Sequence, residues 1–349
     1  MRSRNVLAVS AITASLLTGL WLRPKQPQAA AEAVVSKQAV SKQAVSKRAV
    51  SKRAVSNPPV TELGVKSPVL LPAQASQPKT KDGRQYPLVP AEPAELATLL
   101  AAVEQALRDP ATAAEALPDL GHQQQVIYRV LSTDQPRSEQ VIQALPPRWR
   151  SVAERHLAAR REFVRMSRGR GPTMLPAWRI IQPEPAANLL SHYRKAEAAT
   201  GIEWEVLAAV NLVETGMGRI DGISVANAQG PMQFLPTTWA EPGIGAGNIR
   251  DPHDAIQAAA RYLVRRGGLQ DIRRGLWGYN NSDYYGRAVL LYASLMKEDP
   301  AAYTGLYHWE IHFNAAAGDL WLPVGYNQPQ RISVQNHLQA NPASRSPNR

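Results

Sequence analysis

A chain of 349 residues without a single cysteine excludes disulfides, thiolate metal sites, a cysteine nucleophile and a lipid-modified N-terminal cysteine. Its formal net charge of +12 suggests nucleic acid until the charge is located: residues 1–85 hold 14 Lys or Arg against 3 Asp or Glu, a net of +11, which leaves +1 for the rest. That nearly neutral remainder carries no nucleic-acid-binding motif, so no nucleic-acid partner is expected, and its apolar content suits an ordinary globular domain.

Arg2 and Arg4 precede an apolar run over residues 6–22, the pattern of an export signal. The run is shorter than the roughly 20 residues of a membrane span, so cleavage and retention as an anchor both stay open. Ala31-Glu32-Ala33 offers a small-x-small cleavage site, whereas Arg23 and Lys25 directly after the run oppose one. Residues 1–33 are therefore read as a signal peptide or membrane anchor, and the chain as exported to the cell envelope, anchored or secreted. From Val35 the sequence repeats Val-Ser-Lys-Gln-Ala twice and Val-Ser-Lys-Arg-Ala twice, then turns proline-rich. A five-residue period fits neither a helix nor a strand face, so residues 34–90 read as a disordered basic linker. Its charge would be drawn to a membrane surface or an anionic wall polymer in a salt-sensitive way.

Order is expected from about Pro93. Leu96, Leu99, Leu100, Val103 and Leu107 recur at helical spacing until Asp109-Pro110 breaks the helix. Residues 123–131 and 138–145 read as short helices and residues 149–166 as a longer one. Together they make a helical bundle over residues 91–172 with no catalytic constellation; Arg160-Arg161 and the basic run 167–171 read as solvated faces. A proline-punctuated connection then leads to a helix over residues 185–199, closed by Thr200-Gly201.

Residues 203–213 are apolar nearly all round. Trp204, Leu207, Ala208 and Leu212 form one stripe and Val206, Val210 and Val213 the adjoining one, which predicts a buried helix. Glu214 ends it, and Gly216 and Gly218 stop it. A carboxyl desolvated there has its pKa raised from about 4.3 towards 6 or 7, the range of a general acid near neutral pH. The alternative is a helix-end glutamate facing water. Pro231 and Pro236 bar helix around residues 230–235, leaving a turning segment able to line a cleft. Thr237 is placed as the cap of a short helix through Trp239, and residues 242–247 as a loop lacking the Gly-Lys-Ser/Thr ending of a phosphate loop. Asp251-Pro252 opens a helix to Arg266, and Ser282 or Asp283 caps another to Lys297.

Residues 307–313 alternate, with Trp309, Ile311 and Phe313 on one face and His308, Glu310 and His312 on the other, which predicts a strand. Residues 318–326 would return as its hairpin partner. The polar face lacks the His-Glu-x-x-His spacing of a zinc site and reads as solvated, so neither metal nor cofactor is expected. Residues 329–349 read as a disordered tail.

The residues around Glu214 resemble those of the lytic transglycosylases, lysozyme-like enzymes that cleave bacterial cell-wall glycan. Val213-Glu214-Thr215 with Gly218-Arg219 is similar to the catalytic glutamate motif of the membrane-bound B type, and Gly230-Pro-Met-Gln233 to the Gly-Leu-Met-Gln motif of the soluble type. Ser224 stands nine positions before Gln233, as a serine does in both. Ala258-Ala-Ala-Arg-Tyr262-Leu resembles the helix that brings a tyrosine to the cleft, and Gly278-Tyr279-Asn280 the Tyr-Asn motif. The resemblance spans residues 175–297 and departs at Thr215, where a serine is common, and at Pro231, where a leucine is. It implies a lysozyme-like catalytic domain over residues 173–300; with the helical bundle read before it and the small C-terminal β-hairpin read over residues 301–328, the fold is expected to be mainly α.

Glycoside cleavage needs a proton for the leaving oxygen and stabilisation of an oxocarbenium-like centre, which most glycosidases supply with two carboxylates. Only one stands in these motifs. The resemblance implies that the N-acetyl group of N-acetylmuramic acid assists at C1. Glu214 then first gives a proton and next takes one from the sugar's 6-hydroxyl, closing a 1,6-anhydro ring. Ser224 would orient the acetamido or 6-hydroxyl group. Gln233, Tyr279 and Asn280 would hydrogen-bond sugars or Glu214, and Met232 and Tyr262 would shape the subsites of a peptidoglycan glycan strand. For each of these the alternative is core packing or loop capping. Two other classes stay in view: a hydrolytic muramidase that activates water with Asp221, Asp251 or Asp254, and a non-catalytic wall-binding module, against which the intact Glu214 counts.

Overall fold

The computed structural model describes residue 71, residues 77–167, residue 169 and residues 171–348; the predicted export signal, the repeat and most of the proline-rich stretch lie outside the described residues. The fold is mainly α. Four helices come first: α1 (Pro93–Arg108), α2 (Leu117–Thr133), α3 (Gln135–Ala144) and α4 (Pro147–Met166). Each carries a proline in its first turn, where a missing N–H leaves no bond unmade. After the short strands β1 (Met174–Leu175) and β2 (Trp178–Ile180) come α5 (Ala186–Thr200), α6 (Trp204–Thr215), β3 (Ile220–Gly222) and α7 (Pro236–Trp239). Leu235, not Thr237, precedes that last helix, because Pro236 already supplies its first turn. Then follow α8 (Pro252–Arg265), α9 (Ile272–Asn280), α10 (Asp283–Glu298), α11 (Ala302–Tyr307), β4 (Ile311–Ala315), β5 (Gly318–Leu322), β6 (Ile332–Ser333) and α12 (Val334–Ala340). The strands pair antiparallel as β1 with β6, β2 with β3 and β4 with β5. No helix among the described residues is long and apolar enough to cross a membrane.

α6 lies at the centre: every residue from Val206 to Thr215 is buried. α5 and α8 pack on it, as does α10, which also packs along α4. One apolar core therefore runs from Leu100 of α1 through Leu157 of α4 and Val210 of α6 to Val289 of α10. The helical bundle, read as packing against or extending the substrate cleft, shares this core, because the apolar stripe of α4 is covered by α10 and not by its bundle neighbours alone.

The two ends depart further from expectation. Order begins well before Pro93, because Tyr86 is buried against Val126 and Trp321. At the other end, β6 adds an edge to β1, Ser333 caps α12, and Asn348 reaches back to the backbone of Val89 and Pro87. The polar composition of residues 329–348 hides how few apolar anchors this docking uses, Val334 chief among them.

The alternating segment over residues 307–313 also differs. Tyr307 ends α11, and the strand begins only at Ile311. Its polar face is covered, not solvated. Glu310 accepts from Arg84 Nη1 at 2.7 Å and from Trp321 Nε1 at 2.9 Å. Asp319 accepts from Tyr86 (2.6 Å), from Arg129 Nε (2.9 Å) and from His312 Nδ1 (3.0 Å). Burial alone would raise the Asp319 pKa, but Arg129 and His312 outweigh it and hold the carboxyl well below its usual range. An ionised Asp319 accepts only, so His312 carries its proton on Nδ1 and its Nε2 accepts from His122 Nε2 at 3.1 Å. Burial keeps both imidazoles neutral by pushing their pKa values down. His312 thus serves an ion-pair network; the His/Asp/Glu group with ligand spacing among the described residues is the Asp251, His253, Asp254 cluster.

Tyr86→Ala, or a chain that begins at residue 91, removes a buried aromatic ring and its hydrogen bond to the half-buried Asp319 carboxylate. The expected loss is about 3–5 kcal/mol, which lowers Tm by about 6 °C or more. Thermal melting followed by circular dichroism checks this; an unchanged Tm would show that the segment packs without stabilising.

Candidate active site

The end of α6 is built to stop immediately after a carboxyl. Gly216 adopts the left-handed conformation at φ 61° and its N–H returns to Leu212 O, while Met217 N–H returns to Asn211 O, the pair of bonds that closes a helix against a glycine. A Cβ at Gly216 would lie 2.6 Å from Ile311 Cδ1, so the β4 side chain occupies the space that only glycine leaves. Arg219 adds a bond from Nη1 to Gly216 O at 3.0 Å and lays its guanidinium over the Tyr307 ring.

Glu214, two residues before that cap, has no solvent exposure. The Tyr285 hydroxyl donates to its Oε1 at 2.9 Å. Tyr285 sits in the first turn of α10, where the capping Ser282 accepts its backbone N–H. Burial, reinforced by the charge of Glu214, pushes the Tyr285 pKa well above its ordinary value, so the phenol keeps the proton it donates. Tyr279 stacks parallel to Tyr285 with ring centres 6.4 Å apart and is held protonated by the same two causes.

Thr215 ties the carboxyl's helix to the loop that faces it. Its Oγ1 accepts from Gly218 N–H at 3.0 Å and donates to Pro231 O at 2.6 Å. The two departures from the family pattern, Thr215 and Pro231, are therefore the two ends of one buried hydrogen bond. The loop is closed by Gln229 N–H to Phe234 O and Phe234 N–H to Gln229 O. Gly230 opens it at φ 74°, with Ile249 O where a side chain would begin. Gln233 is itself left-handed, at φ 51°; its Nε2 donates to Gly230 O at 2.8 Å, and its buried Oε1 has no hydrogen-bond partner among the described residues. Such strain and an unused buried acceptor mark sites held for binding.

The remaining sequence candidates fall into two kinds. Tyr279 spends its hydroxyl on Met232 O at 2.7 Å, so it braces the loop. The Met232 side chain is wholly in the core, and Tyr262 packs edge-on against Phe234 and Tyr279 beneath the Arg266 guanidinium, with little of it exposed. Ser224 Oγ accepts from Ala226 N–H (3.1 Å) and Ala228 N–H (2.9 Å), which organises the turn that carries the exposed Val225 and leaves the hydroxyl proton to give. Asn280 ends α9 and is buried.

The aspartates offered as a second carboxylate are engaged elsewhere. Asp221 lies between Arg179 Nε (3.0 Å) and Arg250 Nη1 (3.1 Å). Asp251 caps α8 through Asp254 N–H, and Asp254 accepts from Asn248 N–H at 2.8 Å and contacts His253. Tyr285 was not singled out by sequence reasoning, because at i, i+4 and i+7 with Val289 and Tyr292 it carries an ordinary core signal.

Residues 191–284 match the family model of the transglycosylase SLT domain, a span that takes in Glu214 and every residue named above as a binding candidate. The chain therefore carries a domain of the lysozyme-like lytic transglycosylases, which supports peptidoglycan cleavage in general terms. No curated protein and no solved structure matches the chain.

Tyr285→Phe keeps the ring and deletes the donor to Glu214. A hydrogen bond to a charged group contributes about 1.5–3 kcal/mol, so turnover of purified peptidoglycan is expected to fall about tenfold or more in a protein with a native circular dichroism spectrum. Wild-type turnover would reduce Tyr285 to a packing residue.

Proposed function

We propose that this protein is a peptidoglycan lytic transglycosylase that cuts the β-1,4 bond between N-acetylmuramic acid and N-acetylglucosamine and leaves a 1,6-anhydro end. One observation carries the reading: Glu214 is buried with a phenol donor, while of the aspartates weighed as its partner Asp221 is held between two arginines, Asp251 caps a helix and Asp254 accepts a backbone N–H. A single carboxyl must then act twice.

In the first step the protonated Glu214 gives its proton to the glycosidic oxygen as the bond to C1 breaks, and the substrate's acetamido oxygen stabilises C1. In the second, the carboxylate takes the proton of the 6-hydroxyl as that oxygen bonds to C1. Atoms balance without water, and the carboxyl ends as it began. Tyr285 holds one carboxyl oxygen through both steps, so the proton moves without the side chain reorienting. Gln233 Oε1 would accept from a sugar hydroxyl or amide, and Ser224 would donate to the acetamido or 6-hydroxyl group. Because Glu214 has no exposure, neighbouring side chains have to part as the glycan enters. The N-terminal sequence would carry the chain to the cell envelope, and its basic repeat would hold it near anionic lipid or wall polymer.

Digestion of purified peptidoglycan in water enriched in oxygen-18 tests this reading. The expected muropeptides are one water lighter than hydrolytic products and carry no label at the cut end. Labelled reducing ends as the main product would make the protein a muramidase.

A further inference from the structure

The outer face of the β2–β3 ribbon carries a second arrangement beside the site. Trp178, Ile180 and Ile220 point into the core, so alternation sends Arg179 and Ile181 outward from β2, and Asp221 and Ile223 outward from β3 and the residue that follows it. Arg179 faces Asp221 across the ribbon and donates from Nε to Oδ2 at 3.0 Å, while Arg250 donates from Nη1 to Oδ1 at 3.1 Å. One carboxylate thus orients two guanidinium forks. Their side chains are 61% and 43% exposed, and each keeps N–H donors to spare. Exposed ion pairs add little to stability, so the trio is poorly accounted for as a brace of the fold.

Apolar surface lies alongside. The turn organised by Ser224 Oγ leaves Ile223 50% and Val225 85% exposed on either side of the serine. With Ile181, three of the six large apolar side chains exposed among the described residues stand on this ribbon and its turn, and exposed apolar side chains gathered in this way mark a binding surface. The shelf joins the site at two points. Ser224 belongs to both. Arg250 packs its backbone against Gly230, where a Cβ would lie 3.3 Å from Arg250 Cα, and its Nη2 donates to Gln229 Oε1 at 3.4 Å; Gln229 in turn closes the loop that holds Gln233.

We propose that this shelf binds the peptide stem of the glycan strand, with Arg179 and Arg250 taking a stem carboxylate and Ile223 and Val225 packing against its short aliphatic side chains. The proposal rests on the reading of the protein as a peptidoglycan-cleaving enzyme. The stem leaves the lactyl group of N-acetylmuramic acid, the sugar whose acetamido group Ser224 is placed to meet, so a strand seated at Ser224 carries its stem onto the turn beside it. Free carboxylates and alanine methyls are the chemistry that two guanidinium forks and two aliphatic side chains recognise. Both arginines act on substrate choice and touch no reacting atom.

Full-length protein is given soluble, uncross-linked glycan strands of one length in three forms: with stems intact, with stems removed by an N-acetylmuramyl-L-alanine amidase, and with the stem carboxylates chemically amidated. The expected kcat/KM is at least about fivefold higher on intact stems than on stripped strands, and amidation removes most of that preference. In the double variant Arg179→Gln/Arg250→Gln the preference is lost, whereas a merely structural role would lower all three rates together and leave their ratios unchanged. Equal kcat/KM on intact and stripped strands, or a preference that survives amidation or the double variant, would overturn the shelf and leave the enzymatic reading standing. Cleavage of none of the three would overturn that reading and the shelf with it. If the double variant does not fold, the wild-type comparison of intact with amidated stems decides.

Discussion

The structure turns on one buried contact, the Tyr285 hydroxyl on the Glu214 carboxyl. A carboxyl with no solvent exposure at the end of an apolar helix is costly unless a donor meets it, and the donor has to come from whatever covers that helix. α10 does both. It buries the α6 side with Val289 and brings Tyr285 to the carboxyl from its first turn, fixed by the Ser282 cap. Thr215, the next residue of α6, spends its hydroxyl on the Gln229–Phe234 loop, so the carboxyl, its donor and the facing loop are placed by adjacent positions of one helix.

The matched family domain does not hold this geometry alone. Ile311 of β4 fills the space beside Gly216, and Tyr307 of α11 receives Arg219, which in turn bonds Gly216 O. Both lie beyond residue 284, where the family match ends. β4 is itself held by β5 and by the Asp319 network that reaches Tyr86 and α2. The segments flanking the domain therefore support the closing turn of α6 from outside it, through a chain of packed side chains and part-buried ion pairs.

Much of this was legible in the sequence. The apolar face-to-face pattern of residues 203–213, the glycine stop at Gly216 and the caps at Asp251 and Ser282 are local signals, and local signals survive into the fold. α9 was missed because Gly275 and Gly278 lower its helix propensity, yet burial of Leu276 and the Asp271 cap hold it. Tyr86, His312 and the tail were misread for another reason. Their order comes from partners up to 261 residues away, and no window of sequence holds both ends of such a contact. In the site itself, residue type marked Tyr279 and Met232 for the substrate, while the structure places them in the loop's own support.

The central claim is that the buried carboxyl of Glu214 carries the proton in glycan cleavage. Glu214→Gln keeps the shape and leaves an oxygen for Tyr285 while removing the exchangeable proton. Turnover of purified peptidoglycan by this variant is expected to fall at least about a hundredfold with the melting profile of the folded protein retained. Near-wild-type turnover by a correctly folded Glu214→Gln would contradict the account.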